Sequence, residues 1–253
     1  MTSVVIFGAM GRMGMTIGRL IDEADDLELA GGIDVRPGTF YGVEVAAASD
    51  TDSFLERVSP DVAIDFTIAH AAVENIKAAA RHQIALVVGT TGFSPEQRIE
   101  IETAIEGTVP AVISSNFSVG MNIFWRLVRD AAKLLGDYDI EVIEAHHRYK
   151  KDAPSGTAKT ILQIIEEEAG ERQKVYGREG VTERRNEIGV HVIRGGDIVG
   201  DHTVLFAAND ETIQLSHKAS DRAVFAHGVL RAARWVGGKA PGIYSMDDVL
   251  GLS

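Results

Sequence analysis

Apolar and polar positions alternate along the first half of the chain in two rhythms. Short β-branched runs at 4–7, 27–34, 62–66, 84–88 and 111–113 predict buried strands. Between them, residues 15–23 set Ile17, Leu20 and Ile21 on one side of a helix, and an Ala-rich helix follows at 69–81. A further helix begins near Pro95, a residue suited to a first turn. Residues 8–14 form a glycine-rich turn between the first strand and the first helix, and 111–113 closes the series. Strand–helix alternation of this kind builds parallel βαβ units, hence a Rossmann-like, doubly wound α/β sheet.

The rhythm then changes. A long helix at 119–135 carries Met121, Phe124, Trp125 and Val128 on its apolar face, and a strand follows at 140–145. Residues 153–169 read as a loop feeding a helix. Strands at 189–194, 202–207 and 211–217 are close-set and separated by Gly, Asp and Asn turns, which predicts a mixed or antiparallel sheet. The stretch 170–187, polar and without period, reads as a surface loop, and 223–236 as a last amphipathic helix. The expected organisation is a dinucleotide-binding domain at 1–117 and a smaller α+β domain for substrate binding and oligomerisation at 118–222. A C-terminal helix and tail at 223–253 would return to the first domain.

Composition narrows the chemistry. Lys+Arg number 25 against 37 Asp+Glu, a formal net charge of −12, so a broadly basic nucleic-acid surface is not expected. There is no cysteine, which excludes disulfides, thiolate metal sites and thiol nucleophiles. With no basic leader and no apolar run of about 18 residues, neither a signal peptide nor a membrane span is expected. A cytoplasmic protein is the default.

Gly8-Ala9-Met10-Gly11-Arg12-Met13-Gly14 follows a strand and opens a helix, where backbone N–H groups can approach a pyrophosphate. The spacing G-x-x-G-x-x-G places Met10 where a glycine often sits. Asp34 ends the next strand, 20 residues after Gly14, where an acid accepts from ribose hydroxyls. Asp34 disfavours a 2′-phosphate, whereas Arg12 and Arg36 are each placed to pair with one or to be ordinary surface arginines. NADH and/or NADPH is therefore expected, with NADH preferred. Gly89-Thr90-Thr91 and Ser114-Ser115-Asn116-Phe117 follow two other strands, at the ends where open parallel sheets bind ligands.

The second chemical feature is Glu144-Ala145-His146-His147-Arg148-Tyr149-Lys150-Lys151-Asp152-Ala153-Pro154-Ser155-Gly156-Thr157-Ala158. In an acidic chain, this basic island suits a small anionic partner, a carboxylate or phosphate. Crowded cations favour release of a proton, which casts Lys150 as a donor. Pro154-Ser155-Gly156-Thr157 reads as a capped helix start able to receive a carboxylate. The adjacent histidines lack a third ligand, so no metal is expected. Alone, the run would be a solvated turn; joined to a cofactor fold, it favours an active site.

On these residues the chain resembles the 4-hydroxy-tetrahydrodipicolinate (dihydrodipicolinate) reductase family, whose signature is E-[AL]-H-H-x-x-K-x-D-x-P-S-G-T-A. The likeness extends to 8–14, 89–93, 116–118, 196–200, 217–220 and 247–250. It implies reduction of a cyclic imine dicarboxylate by NAD(P)H with loss of water, in the diaminopimelate route to lysine. It further implies His146 and Lys150 as the acid/base pair and His147, Ser155, Gly156 and Thr157 as substrate contacts. Gly8, Ala9, Met10, Gly11, Arg12, Met13, Asp34, Arg36, Gly89, Thr90, Thr91, Ser114, Ser115, Asn116 and Phe117 would line the cofactor. A homotetramer built through the second domain's sheet is implied as well. Tyr149 stands where some relatives carry a histidine, and Val35 where some carry an arginine for NADPH. Two other readings keep the cofactor fold: a dehydrogenase of another small amino dicarboxylate, and a non-catalytic NAD(P)-sensing regulator. Neither has a need for the full His-His…Lys…Pro-Ser-Gly-Thr run.

Overall fold

The computed structural model describes residues 1–252 and divides into two compact units. The first comprises Met1–Val119 together with the residues from Ala223 onward; the second is Gly120–Arg222.

Unit 1 is an eight-stranded sheet. Its strands are β1 (Thr2–Phe7), β2 (Leu27–Asp34), β3 (Gly38–Phe40), β4 (Val43–Ala47), β5 (Val62–Asp65), β6 (Ala85–Val88), β7 (Pro110–Ile113) and β13 (Gly242–Tyr244). The spatial order is β13-β7-β6-β5-β1-β2-β4-β3, parallel throughout except the β3–β4 pair. Strands of a parallel sheet are covered on both faces, so they read as unbroken apolar runs. β1 shows why: Val4 and Ile6 join one core cluster, Val5 and Phe7 the other. The first cluster is closed by α1 (Arg12–Asp22) and α7 (Ala223–Val236), through Ile17, Ile21, Ala226 and Val229. The second is closed by α2 (Thr51–Val58), α3 (Ala69–Arg81) and α4 (Pro95–Ile105), through Phe54, Ile76 and Ile101.

Three expectations change here. The first helix begins at Arg12, not residue 15, because Gly14 lies within its first turn. A Cβ at Gly14 would overlap the carbonyl oxygens of Gly8 and Ala9, so the glycine belongs to helix packing rather than to the turn. Residues 35–61 hold β3, β4 and α2, which the periodicity did not single out. Residues 111–113 do not close the sheet, since β13 pairs outside β7.

Unit 2 is a five-stranded mixed sheet in the order β12-β11-β8-β10-β9. Its strands are β8 (Asp139–His146), β9 (Gln173–Tyr176), β10 (Glu187–Arg194), β11 (Gly200–Ala207) and β12 (Thr212–Ala219). β11 runs antiparallel to β8 and β12, and β10 runs parallel to β8 and β9. Helices α5 (Val119–Leu134) and α6 (Gly156–Ala169) contribute Met121, Phe124, Val128, Ile161 and Ile165 to a core over one face of the sheet. That one-sided cover explains the strict alternation of buried and half-buried residues along β11. On the other face, Ile143, His191 and Thr203 stand in one cross-strand row, none of them fully buried. The stretch 170–187, expected as loop throughout, contains β9, which pairs with β10. No helix among the described residues is long and apolar enough to cross a membrane.

Candidate active site

In unit 1, the glycine turn is held by its own backbone. Gly8, at φ +77°, donates to Ile33 O at 2.8 Å, and Gly11 N–H donates to Gly8 O at 3.0 Å. Gly11 caps α1 without any side-chain acceptor, so helix geometry leaves first-turn N–H groups and the positive dipole end for an anion. Beside it lies a cleft of about 360 Å³ lined by Gly8, Gly11, Ile33, Asp34, Phe66 and Thr67, among others. The Asp34 carboxylate accepts from Met10 N–H at 3.0 Å and Arg36 N–H at 3.3 Å, which ties the acid to the turn. A glycine turn, an uncapped helix start and an acid at the cleft fit the diphosphate and ribose of a dinucleotide.

The structure sorts the other expected cofactor residues. Met10, Gly11, Arg12, Arg36, Thr91 and Ser115 are exposed, while Ala9 is buried in the core and Met13 packs on it. The buried Thr90 hydroxyl donates to Asp65 at 2.6 Å and accepts from Thr67 N–H, so it braces two strand ends. Gly89 allows the Phe66 ring to lie against the backbone there. The Ser114 hydroxyl donates to Asn116 O, Asn116 Oδ1 accepts from Ser118 N–H, and Phe117 packs on Phe66 in the core. Asp65, fully buried at the end of β5, escaped the sequence reading. It accepts from Thr67, Thr90 and Asn75, and burial outweighs these bonds and pushes its carboxyl up.

In unit 2, cross-strand register assembles the basic island's partners. On the helix-covered face, His217, His202, Glu144 and Val192 form one row across β12, β11, β8 and β10. The next row pairs His146 with Arg194. Glu144, fully buried, is the hub: it accepts from His146 Nδ1 at 2.5 Å, from Arg194 at 2.8 and 2.9 Å, and from Ser155 N–H at 2.9 Å. Burial opposes its ionisation, but the His146, Arg194 and Ser155 donors outweigh burial and hold the carboxyl at about 2. An acceptor ionised at neutral pH on Nδ1 fixes the imidazole plane and leaves Nε2 outside that bond. A Cβ at Gly200 would stand 3.2 Å from that Nε2, so the glycine keeps its approach open.

Ser155 caps α6, its hydroxyl accepting Ala158 N–H at 3.2 Å, and Gly156 is exposed in the first turn. Because the Ser155 N–H is bound to Glu144, the anion-attracting helix start is fastened to the histidine. Lys150 Nζ lies 2.9 Å from Asp152 Oδ1, and its N–H donates to His147 O in a turn. His147 is half-buried, Thr157 likewise, and Tyr149 is exposed with its ring 6.3 Å from that of His147. The island is thus less free a cation cluster than its sequence suggests. Glu144, Arg194 and His202 were missed as site residues; Glu144 stood inside the quoted run with no role, while the other two arrive from strands about 50 residues on. The one sequence cue was the strict two-residue alternation of β11, which puts His202 on its buried side.

Residues 2–117 match the family model described as dihydrodipicolinate reductase, N-terminus, and residues 120–250 the model for its C-terminus. The chain is 71% identical over 252 residues to the 4-hydroxy-tetrahydrodipicolinate reductase of Methanoregula boonei, covering 100% of this chain and 99% of that one. It is 70% identical to that of Methanoculleus marisnigri, covering both chains fully. Among solved structures, the dipicolinate-bound dihydrodipicolinate reductase of Paenisporosarcina sp. TG-14 is similar with a TM-score of 0.81 at 25% identity, over 97% of each chain.

Proposed function

The chain belongs to the dihydrodipicolinate reductase family, and from that premise we propose which of its residues carry the reaction. It is an oxidoreductase that reduces 4-hydroxy-tetrahydrodipicolinate to tetrahydrodipicolinate with loss of water, in the diaminopimelate route to lysine. A nicotinamide cofactor, when bound, supplies the hydride.

Hydride addition to the substrate ring leaves an enamine-like anion that must gain a proton. His146 delivers it from Nε2, oriented by Glu144 on Nδ1, and Lys150 is its acid/base partner. His147 contacts the substrate. Ser155, Gly156 and Thr157 at the start of α6 hold one substrate carboxylate, a role supported by the dicarboxylate in the dipicolinate-bound relative. The observation that carries these roles is the Glu144 hub, which ties His146 and the N-terminus of α6 to one buried carboxylate.

For the cofactor, the turn Gly8, Ala9, Met10, Gly11, Arg12 and Met13 cradles the diphosphate, the first-turn N–H groups of Arg12 and Met13 donating to it while the preceding N–H groups shape the turn, and Asp34 receives the ribose hydroxyls. Gly89, Thr91, Ser114, Ser115 and Asn116 line the nicotinamide half, with Thr90 and Phe117 shaping those loops from behind. NADH is preferred and NADPH accepted through Arg12 and Arg36. The enzyme is a cytoplasmic homotetramer assembled on the helix-free face of the unit 2 sheet, a reading supported by the half-exposed Ile143 and Leu205 there.

A coupled assay tests the site: dihydrodipicolinate synthase generates the substrate and NADH loss is followed by absorbance. Lys150→Ala and His146→Gln each lower kcat by a hundredfold or so while NADH affinity holds. Near-normal turnover in either variant refutes the role of that residue.

A further inference from the structure

His202 has no part in the reaction described so far, yet it sits in the same row as Glu144 and is 3% exposed. Its Nε2 lies 3.3 Å from the Ser155 hydroxyl. Its ring meets that of His146 edge-on, with centroids 5.1 Å apart. Its Nδ1 is buried with no hydrogen-bond partner among the described residues. An imidazole with one nitrogen unsatisfied is a poor choice for filling space, because burying an unpaired polar atom opposes folding. A leucine would fill the same place without that cost. What a leucine lacks is the nitrogen facing Ser155.

We propose that His202 is a positioning residue: it fixes, in one arrangement, the ring of His146 and the Ser155 cap of the carboxylate-binding helix start. Gly200 and His202 lie two residues apart on the same face of β11 and act on opposite needs of His146. The first leaves its Nε2 open; the second steadies its ring. Burial, reinforced by the neighbouring His146, pulls the His202 imidazole down to about 4, so at neutral pH it adds no like charge beside the acid/base group. The inference rests on the assignment of His146 and the α6 N-terminus as the substrate site.

The test compares His202→Leu, His202→Gln and Ser155→Ala in the coupled assay, with NADH affinity measured separately by fluorescence. His202→Leu lowers kcat/KM by roughly tenfold or more, through both a higher KM for the dicarboxylate and a lower kcat. NADH affinity is unchanged. His202→Gln, whose amide reaches Ser155 but presents no ring to His146, restores KM and leaves kcat reduced about threefold. Adding Ser155→Ala to His202→Leu raises KM no further than either change alone. Wild-type kcat and KM in His202→Leu, or wild-type kcat in His202→Gln, overturns the proposal; the glutamine arm decides it if the leucine variant does not fold. His146→Gln is run in parallel. Normal turnover there removes the underlying site assignment and this inference with it, whereas impaired His146→Gln beside unimpaired His202→Leu overturns the inference alone.

Discussion

Replacing Glu144 with glutamine keeps the side chain's size and removes its charge. Glutamine offers one acceptor oxygen and an NH2 group, facing donors from His146, two Arg194 nitrogens and the Ser155 amide. At least one donor then meets another donor, and the Arg194 guanidinium, mostly buried, loses its counter-ion. Breaking a buried pair from one side costs about 3–5 kcal/mol. Proton linkage gives an independent figure. A carboxyl held at about 2 against an ordinary 4.5 contributes about 3 kcal/mol at neutral pH. The native form binds fewer protons than the unfolded chain between those values. Its contribution is therefore complete above about 4.5, is lost progressively as pH falls, and is gone by about 2.

The assay follows from where the chain's two tryptophans lie. Trp125 is on α5 in unit 2 and Trp235 on α7 in unit 1, so Trp235→Phe leaves a fluorophore that reports on unit 2 alone. In that background, Glu144→Gln should shift the urea midpoint down by about 2 M at pH 7, taking a slope of about 1.5 kcal/mol per molar. The gap between the two proteins should shrink between pH 4.5 and 2, because the wild type surrenders there what the variant lacks. A midpoint within about 0.3 M of wild type at pH 7, or a constant gap down to pH 2, would refute Glu144 as an ionised hub.

Other perturbations address the remaining parts. Gly14→Ala drives a Cβ into the Gly8 and Ala9 carbonyl oxygens; it should destabilise unit 1 by about 3 kcal/mol in Trp235-reported unfolding, and a neutral effect would show the turn is free to shift. Asp34→Ala removes the acceptor of Met10 N–H and should narrow the ratio of NADPH to NADH Michaelis constants by about tenfold, whereas an unchanged ratio, or a wild type that strongly prefers NADPH, would discard the proposed selectivity. Asp65→Ala strands the Thr67, Thr90 and Asn75 donors and should cost unit 1 about 2–4 kcal/mol, with Asp65→Asn, which keeps the shape and one acceptor oxygen, losing much less; equal losses would mean that a single acceptor of the same shape does not hold these donors.

The limits of the sequence reading have a common physical origin. Residues 27–34, 69–81 and 223–236 coincide with β2, α3 and α7 because each element buries a continuous run or a regular stripe of its own residues. β3, β9 and β13 span three or four residues apiece, too short to show a period, and exist because a neighbouring strand edge accepts them. The same division runs through the candidate active site. His146, Lys150, Ser155 and Gly156 stand out as candidates because one contiguous run carries them all. Arg194 and His202 were not, because what makes them part of the site is pairing between strands far apart in sequence, and a one-residue change of register would turn both to the opposite face. Local sequence therefore names the candidate residues, while register decides which groups hold them. That is why Glu144, two places from His146 and in plain view, acquires a role only once β10 and β11 are laid beside it.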